Sequence, residues 1–266
     1  MTKRQLLALA VSLRDRGRLF DPADAGLQDV FAGSVDRFCD IALKLQGATR
    51  VLDVGAGHGM LVALLQELGH DCTAVDFFDP TDRYPLVYRE KAIPFRRCNI
   101  EVERLPFDDA AFDAVVCCQV LEHFSHSHLP AVREMFRVLR PGGIVEVAVP
   151  NVASLRNRSR LLRGRNITYD YAEHYLDAEP ILKGGRSYFP ARHNREFTRA
   201  ELRMLLDRAG FAAIDVTFLR SRRYRTGVSA WKSIGSGLRD AWPSLRKSLI
   251  AFAKKPRARI PVESEM

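Results

Sequence analysis

The chain has 266 residues, 47% of them hydrophobic, and 41 Lys and Arg against 32 Asp and Glu give a formal net charge of +9. That size and apolar fraction suit one α/β domain with insertions. No apolar run reaches the roughly 20 residues of a membrane span, and the basic surface favours an anionic partner without choosing among phosphorylated substrate, nucleic acid and membrane surface.

Residues 1–49 read as an N-terminal helical cap of one or two helices. Lys3 and Arg4 ahead of Leu6–Val11 faintly resemble a secretory leader. That apolar core is short and runs into Arg14-Asp15-Arg16, so an amphipathic helix is expected instead. Leu27–Leu45 is the stronger helix. The five cysteines, Cys39, Cys72, Cys98, Cys117 and Cys118, contain no C-x-x-C and fall mostly in apolar runs. They point to buried thiols in a reduced, cytoplasmic protein and away from a zinc site.

From residue 50 strands and helices alternate, the pattern of a parallel sheet with crossover helices. Strands are expected near Arg50–Val54, Cys72–Asp76, Arg96–Ile100, Phe112–Cys117 and Ile144–Val149. Phe211–Leu219 and Leu249–Ala253 follow, which makes seven strands over a domain spanning 50–255. Leu129, Val132, Phe136 and Leu139 recur at helical spacing, and Pro141-Gly142-Gly143 turns that helix into the next strand. Thr198 with Glu201 forms a capping box for a further helix. Residues 150–197 and 220–247 are insertions, expected to cover a substrate, and 256–266 read as a disordered tail.

The densest chemistry lies in Val51-Leu52-Asp53-Val54-Gly55-Ala56-Gly57-His58-Gly59-Met60. Glycines after a strand let the chain turn sharply and let a ligand approach without meeting a Cβ, and the helix beyond offers unpaired N–H groups. The dinucleotide fingerprint G-x-G-x-x-G is the competitor, but Met60 occupies its third glycine position. Asp76 ends the second strand about twenty residues on, where a carboxylate accepts both hydroxyls of a ribose, and Phe77 can pack on a purine. Cys98-Asn99-Ile100-Glu101, Leu105-Pro106-Phe107, Phe112-Asp113-Ala114-Val115-Val116, Gln119-Val120-Leu121-Glu122-His123 and Pro141-Gly142-Gly143 complete the series.

In this order and spacing the series resembles the class I S-adenosylmethionine (SAM) dependent methyltransferase superfamily, in its small-molecule branch. The resemblance covers about residues 50–150, with a weaker match from Thr198 to Phe211 and at the last strand. It implies a Rossmann-like fold, SAM as cofactor and methyl transfer by direct displacement. By position it implies that Asp53 and the backbone at Gly55, Ala56 and Gly57, with Gly59 beside them, hold the methionine moiety. Asp76 would bind the ribose, Asn99 and Ile100 would border the adenine, and the backbone near Cys118 and Gln119 would meet the methionine amino group. His123 is the first candidate base, since histidine titrates near neutrality, and His193 the second. His126 and His128 read as surface residues ahead of a helix. Ubiquinone-pathway O-methyltransferases and small-RNA terminal 2′-O-methyltransferases carry a similar E-x-x-E-H and use a divalent cation. Here Gln119 replaces the first glutamate and removes an anionic ligand, so no metal is expected.

The first insertion opens with Arg156, Arg158, Arg160, Arg163 and Arg165 and continues through Tyr169, Tyr171, His174, Tyr175, Tyr188 and Phe189. Arginines and aromatics together can stack on rings and pair with phosphate; a solvated basic helix is the plainer reading. The second insertion carries Trp231, Ile234, Leu238, Trp242 and Leu245 at helical spacing, a stripe for packing on the domain or for a membrane interface. His193-Asn194-Arg195-Glu196-Phe197-Thr198 resembles methyltransferases of bacterial glycan and natural-product pathways. The expected activity is O-methylation of a saccharide, glycolipid or secondary metabolite, with an anionic or lipid-linked acceptor among the choices. An RNA methyltransferase and a non-enzymatic SAM-binding scaffold are the alternatives. The expected location is the cytoplasm, with peripheral contact at the inner face of the membrane left open.

Overall fold

The computed structural model describes residues 1–168, 171–183, 185–189, 191–220 and 241–257. Arg50–Val54 (β1), Asp71–Asp76 (β2), Phe95–Arg97 (β3), Phe112–Cys118 (β4) and Leu139–Pro150 (β5) run parallel to one another. Ile181–Lys183 (β6) and Arg186–Tyr188 (β7) form a separate antiparallel pair. Ala212–Phe218 (β8) and Ser248–Lys254 (β9) complete the main sheet, with β9 antiparallel to both β5 and β8. The seven-stranded order is β3-β2-β1-β4-β5-β9-β8. The order reverses between β1 and β4, and ligands in such sheets bind at that point beyond the carboxyl ends of the strands.

Strand alternation builds two apolar layers. Val51, Ala74, Ala114, Val116, Ala148 and Ile250 face helices Lys3–Asp15 (α1), Ala25–Lys44 (α2) and Met60–Glu67 (α3). Leu52, Val54, Val75, Val115, Cys117 and Val147 face His128–Val138 (α4) and Arg199–Arg208 (α6). Helix α5 (Leu155–Leu161) stands outside both layers. Capping fixes two helix starts. Thr2 with Gln5 opens α1 and Thr198 with Glu201 opens α6, each as a reciprocal capping box.

Two strands depart from the sequence expectation. β3 stops at Arg97 because the next residues turn: Asn99 Oδ1 accepts from Glu101 N at 3.2 Å and Asn99 O from Glu103 N at 2.7 Å. β5 begins at Leu139, not Ile144. Leu139 pairs with Phe112, the register slips, and Ile144 pairs with Ala114, while Gly142 N and Gly143 O bond to Lys255. The glycine pair therefore makes a bulge inside a strand, where a turn before it was expected. Among the described residues no helix is long and apolar enough to cross a membrane. The tail beyond 257 and most of the 220–247 insertion, with Trp231, Ile234 and Leu238, lie outside the described residues, as does Tyr169.

Candidate functional site

The loop from β1 to α3 needs its glycines for separate reasons. Gly55, Gly57 and Gly59 have φ of +76°, +51° and +73°, where a side chain is strained. A Cβ on Gly55 would lie 2.2 Å from Val120 Cγ2, and one on Gly59 would lie 2.5 Å from Val87 Cγ1. A Cβ on Gly57 would meet nothing within 4 Å. The backbone there borders open space of the kind a ligand fills. The loop is held from below. Gly55 N and Ala56 N donate to Val75 O at 2.8 and 3.2 Å, Gly57 N donates to Asp76 Oδ2 at 2.9 Å, and the Tyr88 hydroxyl donates to Gly57 O at 2.9 Å. At the start of α3, Met60 N donates to His58 Nδ1 at 3.3 Å. Burial pushes His58 down to about 4, so this imidazole is neutral and keeps that lone pair.

A cleft opens beside the loop, lined by Gly55, Asp76, Phe77, Asn99, Ile100, Gln119 and His123, with Tyr188 and Phe189 brought from the first insertion. Asp76 Oδ1 also accepts from Phe78 N at 3.0 Å. Burial raises this carboxyl, and the N–H groups of Phe78, Gly57 and Phe77 pull it back down. Phe77 meets the Phe78 ring edge-on at 4.8 Å and the Tyr188 ring at 5.7 Å, an aromatic wall for a flat ligand. The Asn99 oxygen is engaged by Glu101 N, and its buried Nδ2 has no hydrogen-bond partner. As placed, this side chain offers a donor to the cleft. Gln119 holds a left-handed backbone at φ +57° with its N–H on Ala148 O at 2.8 Å. Its Nε2 is also buried without a partner. Unsatisfied buried donors at the rim of one cleft are what a polar ligand would satisfy.

The far end of the cleft carries the candidate bases. His123 Nδ1 lies 2.8 Å from Arg192 O. A carbonyl can only accept, so Nδ1 carries the proton and Nε2 the lone pair. The His193 ring stands edge-on to His123 at 4.9 Å, and its Nδ1 lies 3.8 Å from Glu196. Asn194 N and Arg195 N both donate to Glu122 O, and Asn194 Nδ2 donates to His123 O at 2.8 Å. Both sequence candidates are thus brought together by one stitched segment. The fully buried Glu122 carboxyl has no hydrogen-bond partner on either oxygen, and burial pushes it up to about 8. One ligand atom from each of Glu122, His123 and His193 falls within 4.8 Å of the others, a spacing that could hold a cation.

His126 and His128 differ from each other. His126 Nδ1 lies 2.7 Å from the buried Glu101 carboxylate. His128 is no loose surface residue: its ring stacks on Phe124 at 5.7 Å, meets Phe197 edge-on, and bonds Leu121 O. Within the first insertion, the Arg192 guanidinium lies 3.5 Å over Phe189 and 5.0 Å from the Tyr175 ring centre. Tyr175 and Phe189 are thus engaged by an arginine of the protein itself.

Sequence reasoning missed a buried charged layer beneath the loop. Asp53 is 3% exposed, and burial with the Asp76 charge pushes it up to about 7, against the pull of Arg37. Glu146 is fully buried in β5, accepts from Cys118 Sγ at 3.3 Å, and is pushed up to about 8 by burial. Arg37 of α2 lies within electrostatic reach of Asp53, His58, Glu122 and Glu146. The available signals were an acid inside Ile144–Val149 and an arginine in the apolar stretch of α2. Tyr88 carried none, since only the fold brings it to Gly57.

The family described as "Methyltransferase domain" matches residues 18–216. Over 170 residues the chain is 32% identical to a protein of Mycolicibacterium smegmatis named a probable S-adenosylmethionine-dependent methyltransferase, covering 62% of this chain and 52% of that one. It is 30% identical to the mouse mitochondrial ubiquinone biosynthesis O-methyltransferase (40% and 30% covered) and 28% identical to a ubiquinone/menaquinone biosynthesis C-methyltransferase of Pseudomonas putida (61% and 65% covered). The chain thus spans about a third to two thirds of the length of these relatives. Among solved structures it resembles an S-adenosylmethionine-dependent methyltransferase of Mesorhizobium loti (TM-score 0.55, 19% identity, 83% and 97% covered). It also resembles the Burkholderia thailandensis 1,6-didemethyltoxoflavin-N1-methyltransferase with bound S-adenosylhomocysteine (TM-score 0.52, 23%, 94% and 87% covered). At these identities the structural likeness shows the fold.

Proposed function

The chain belongs to the methyltransferase-domain family, and from that premise we propose that it is a SAM-dependent enzyme that methylates a hydroxyl of a small molecule. The observation that carries the reading is the meeting, in one cleft, of the glycine turn at Gly55, the Asp76 carboxylate to which the open backbone at Gly57 is bonded, and an oriented His123. The residues fit the cofactor. Asp76 can accept from ribose hydroxyls, Phe77 and Ile100 can flank a purine, Asn99 Nδ2 can donate to a ring nitrogen, and the orphaned Gln119 amide faces the same space.

When bound, SAM supplies an electrophilic methyl on a sulfonium, and an acceptor oxygen displaces the thioether directly. The chain's part is to hold and to take a proton. Holding acceptor and methyl in line is worth up to about 7–11 kcal/mol in well-oriented systems. His123 receives the hydroxyl proton on Nε2, and Arg192 O on Nδ1–H stabilises the imidazolium that forms. Such a base is worth about 10²–10⁴-fold.

For the acceptor, a saccharide, glycolipid or secondary metabolite is the finer proposal, supported by the basic first insertion. The names of two relatives add a hydroxylated quinone-type ring to the compounds worth testing. That none of the five cysteines is in a disulfide favours a cytoplasmic location. The test is transfer of labelled methyl from SAM into fractionated host extract. Label in small-molecule, glycan or lipid fractions supports the reading. Label confined to RNA overturns it in favour of a nucleic-acid acceptor, and no label from protein that binds SAM favours the scaffold.

The orphaned Glu122 carboxyl favours a second reading of the proton-transfer end. Glu122, His123 and His193 would hold a divalent cation there, which would neutralise the buried carboxylate and polarise the acceptor oxygen. One carboxylate with two imidazoles suits zinc, manganese or iron better than magnesium. Turnover that survives EDTA, in protein free of metal by elemental analysis, favours the base. Turnover lost to EDTA and restored by one ion favours the cation.

A further inference from the structure

Helix α5 and the turn after it line no part of the cleft described above. From Val152 to Thr168 the chain carries five arginines and no acidic residue. Among the described residues none of those arginines is paired with a carboxylate. Between them Leu161 is 61% and Leu162 89% exposed. The segment is firmly built. Ser154 caps α5, and buried Asn157 donates to Asn151 O at 3.3 Å and Val152 O at 3.1 Å. The turn closes on Arg160 O through Arg163 N and Arg165 N, at 3.0 and 2.9 Å.

The knob therefore holds two leucines in water although its own fold gives no reason to. It leaves the sheet at the carboxyl end of β5, the edge on which the cleft opens. Asn151 Nδ2, at that same exit, donates to Ser244 O and Arg246 O at 3.0 and 2.8 Å. It thereby fixes beside the root of α5 the 3₁₀ turn Pro243–Leu245, which Trp242, 63% exposed, precedes.

We propose that this knob docks on an anionic lipid bilayer, the leucines entering the interface and the arginines meeting headgroup phosphates, so that the mouth of the cleft faces the membrane. Apolar side chains ringed by arginine are the composition of interfacial contacts. Nucleic acid would use the charge alone and leave the leucines unexplained. The inference adds to the proposed reaction that its acceptor is drawn from the bilayer, but docking itself is independent of turnover and is tested without it.

The experiment is co-sedimentation of the full chain with vesicles of phosphatidylcholine alone or with about one third phosphatidylglycerol. Each basic residue near such a surface is worth roughly fivefold in partitioning. Arg163→Glu/Arg165→Glu is expected to weaken binding to the anionic vesicles by about 25-fold or more. Leu161→Ser/Leu162→Ser should also weaken it, by tenfold or more, with thermal melting unchanged in both. Arg133→Glu, an exposed arginine on α4, should change it by less than fivefold. No binding to the anionic vesicles, equal binding to neutral ones, or an Arg133→Glu loss as large as the knob's would overturn the proposal. So would retention on mixed RNA that needs the arginines but not the leucines.

Discussion

Asp76→Asn puts the cofactor assignment at greatest risk. Both carboxylate oxygens already serve the protein: Oδ2 takes Gly57 N at 2.9 Å and Oδ1 takes Phe78 N at 3.0 Å. Each keeps lone-pair capacity for one ribose hydroxyl. Asparagine keeps one acceptor and turns the other position into a donor, which must face a backbone N–H. Hydrogen bonds to a charged group contribute about 1.5–3 kcal/mol each, so losing one ribose bond weakens cofactor binding by about 10–150-fold. Losing the anchor on Gly57 or Phe78 lowers stability by about 1–3 kcal/mol more. Isothermal titration with S-adenosylhomocysteine measures the first effect, and denaturant unfolding the second. A variant that unfolds more easily yet binds within threefold of the parent would refute the ribose role and leave Asp76 as a loop anchor only.

The glycine loop gives a paired test. Gly57→Ala meets no atom within 4 Å, so it should fold at a strain cost of about 1–2 kcal/mol yet lose cofactor affinity at least tenfold; Gly55→Ala, whose Cβ falls 2.2 Å from Val120, should lose stability outright. Equal binding by Gly57→Ala would show that the cofactor lies elsewhere. Native Asp53 sits near 7 and an ordinary aspartate at 3.8, so between those values the unfolded chain has released a proton that the native state retains, and this group's contribution to stability falls as pH rises through that window. Asp53→Asn should therefore melt progressively higher than the parent from pH 4 to 7, by roughly 5 °C or more at the top, with a constant gap above; a gap independent of pH would contradict a native-state value near 7. His123→Asn keeps a donor for Arg192 O and should lower kcat by about 10²–10⁴-fold with S-adenosylhomocysteine affinity unchanged. Turnover within threefold of the parent would remove His123 from proton transfer.

Much of this was legible in the sequence because it is local or periodic. The glycines, Asp76 after its strand and the Thr198–Glu201 box each depend on neighbours a few residues away. Where one apolar residue follows another, as in β4, strand bounds came out within a residue of those expected. Reading failed where a distant partner decides. Phe112 draws Leu139 into the sheet and makes a bulge of the Pro-Gly-Gly turn, and Tyr88 reaches Gly57 across 31 positions. The buried charges were hidden for the opposite reason. An acid inside an apolar strand looks like an error in the pattern, and only the layer of Arg37, Glu146 and Asp53 under the loop gives it a setting.

The stitching of Asn194 and Arg195 to the carbonyl of Glu122, and of Asn194 to that of His123, bears on how such a protein can change. The segment that walls the cleft against the acceptor also aims the imidazole. A new acceptor preference cannot be acquired by swapping that wall alone, because the graft would arrive with its own register against the 121–123 turn. If His123 is the base proposed above, acceptor choice and proton transfer would be inherited as one trait, and chimeras between relatives should keep their activity only when both stretches come from the same parent.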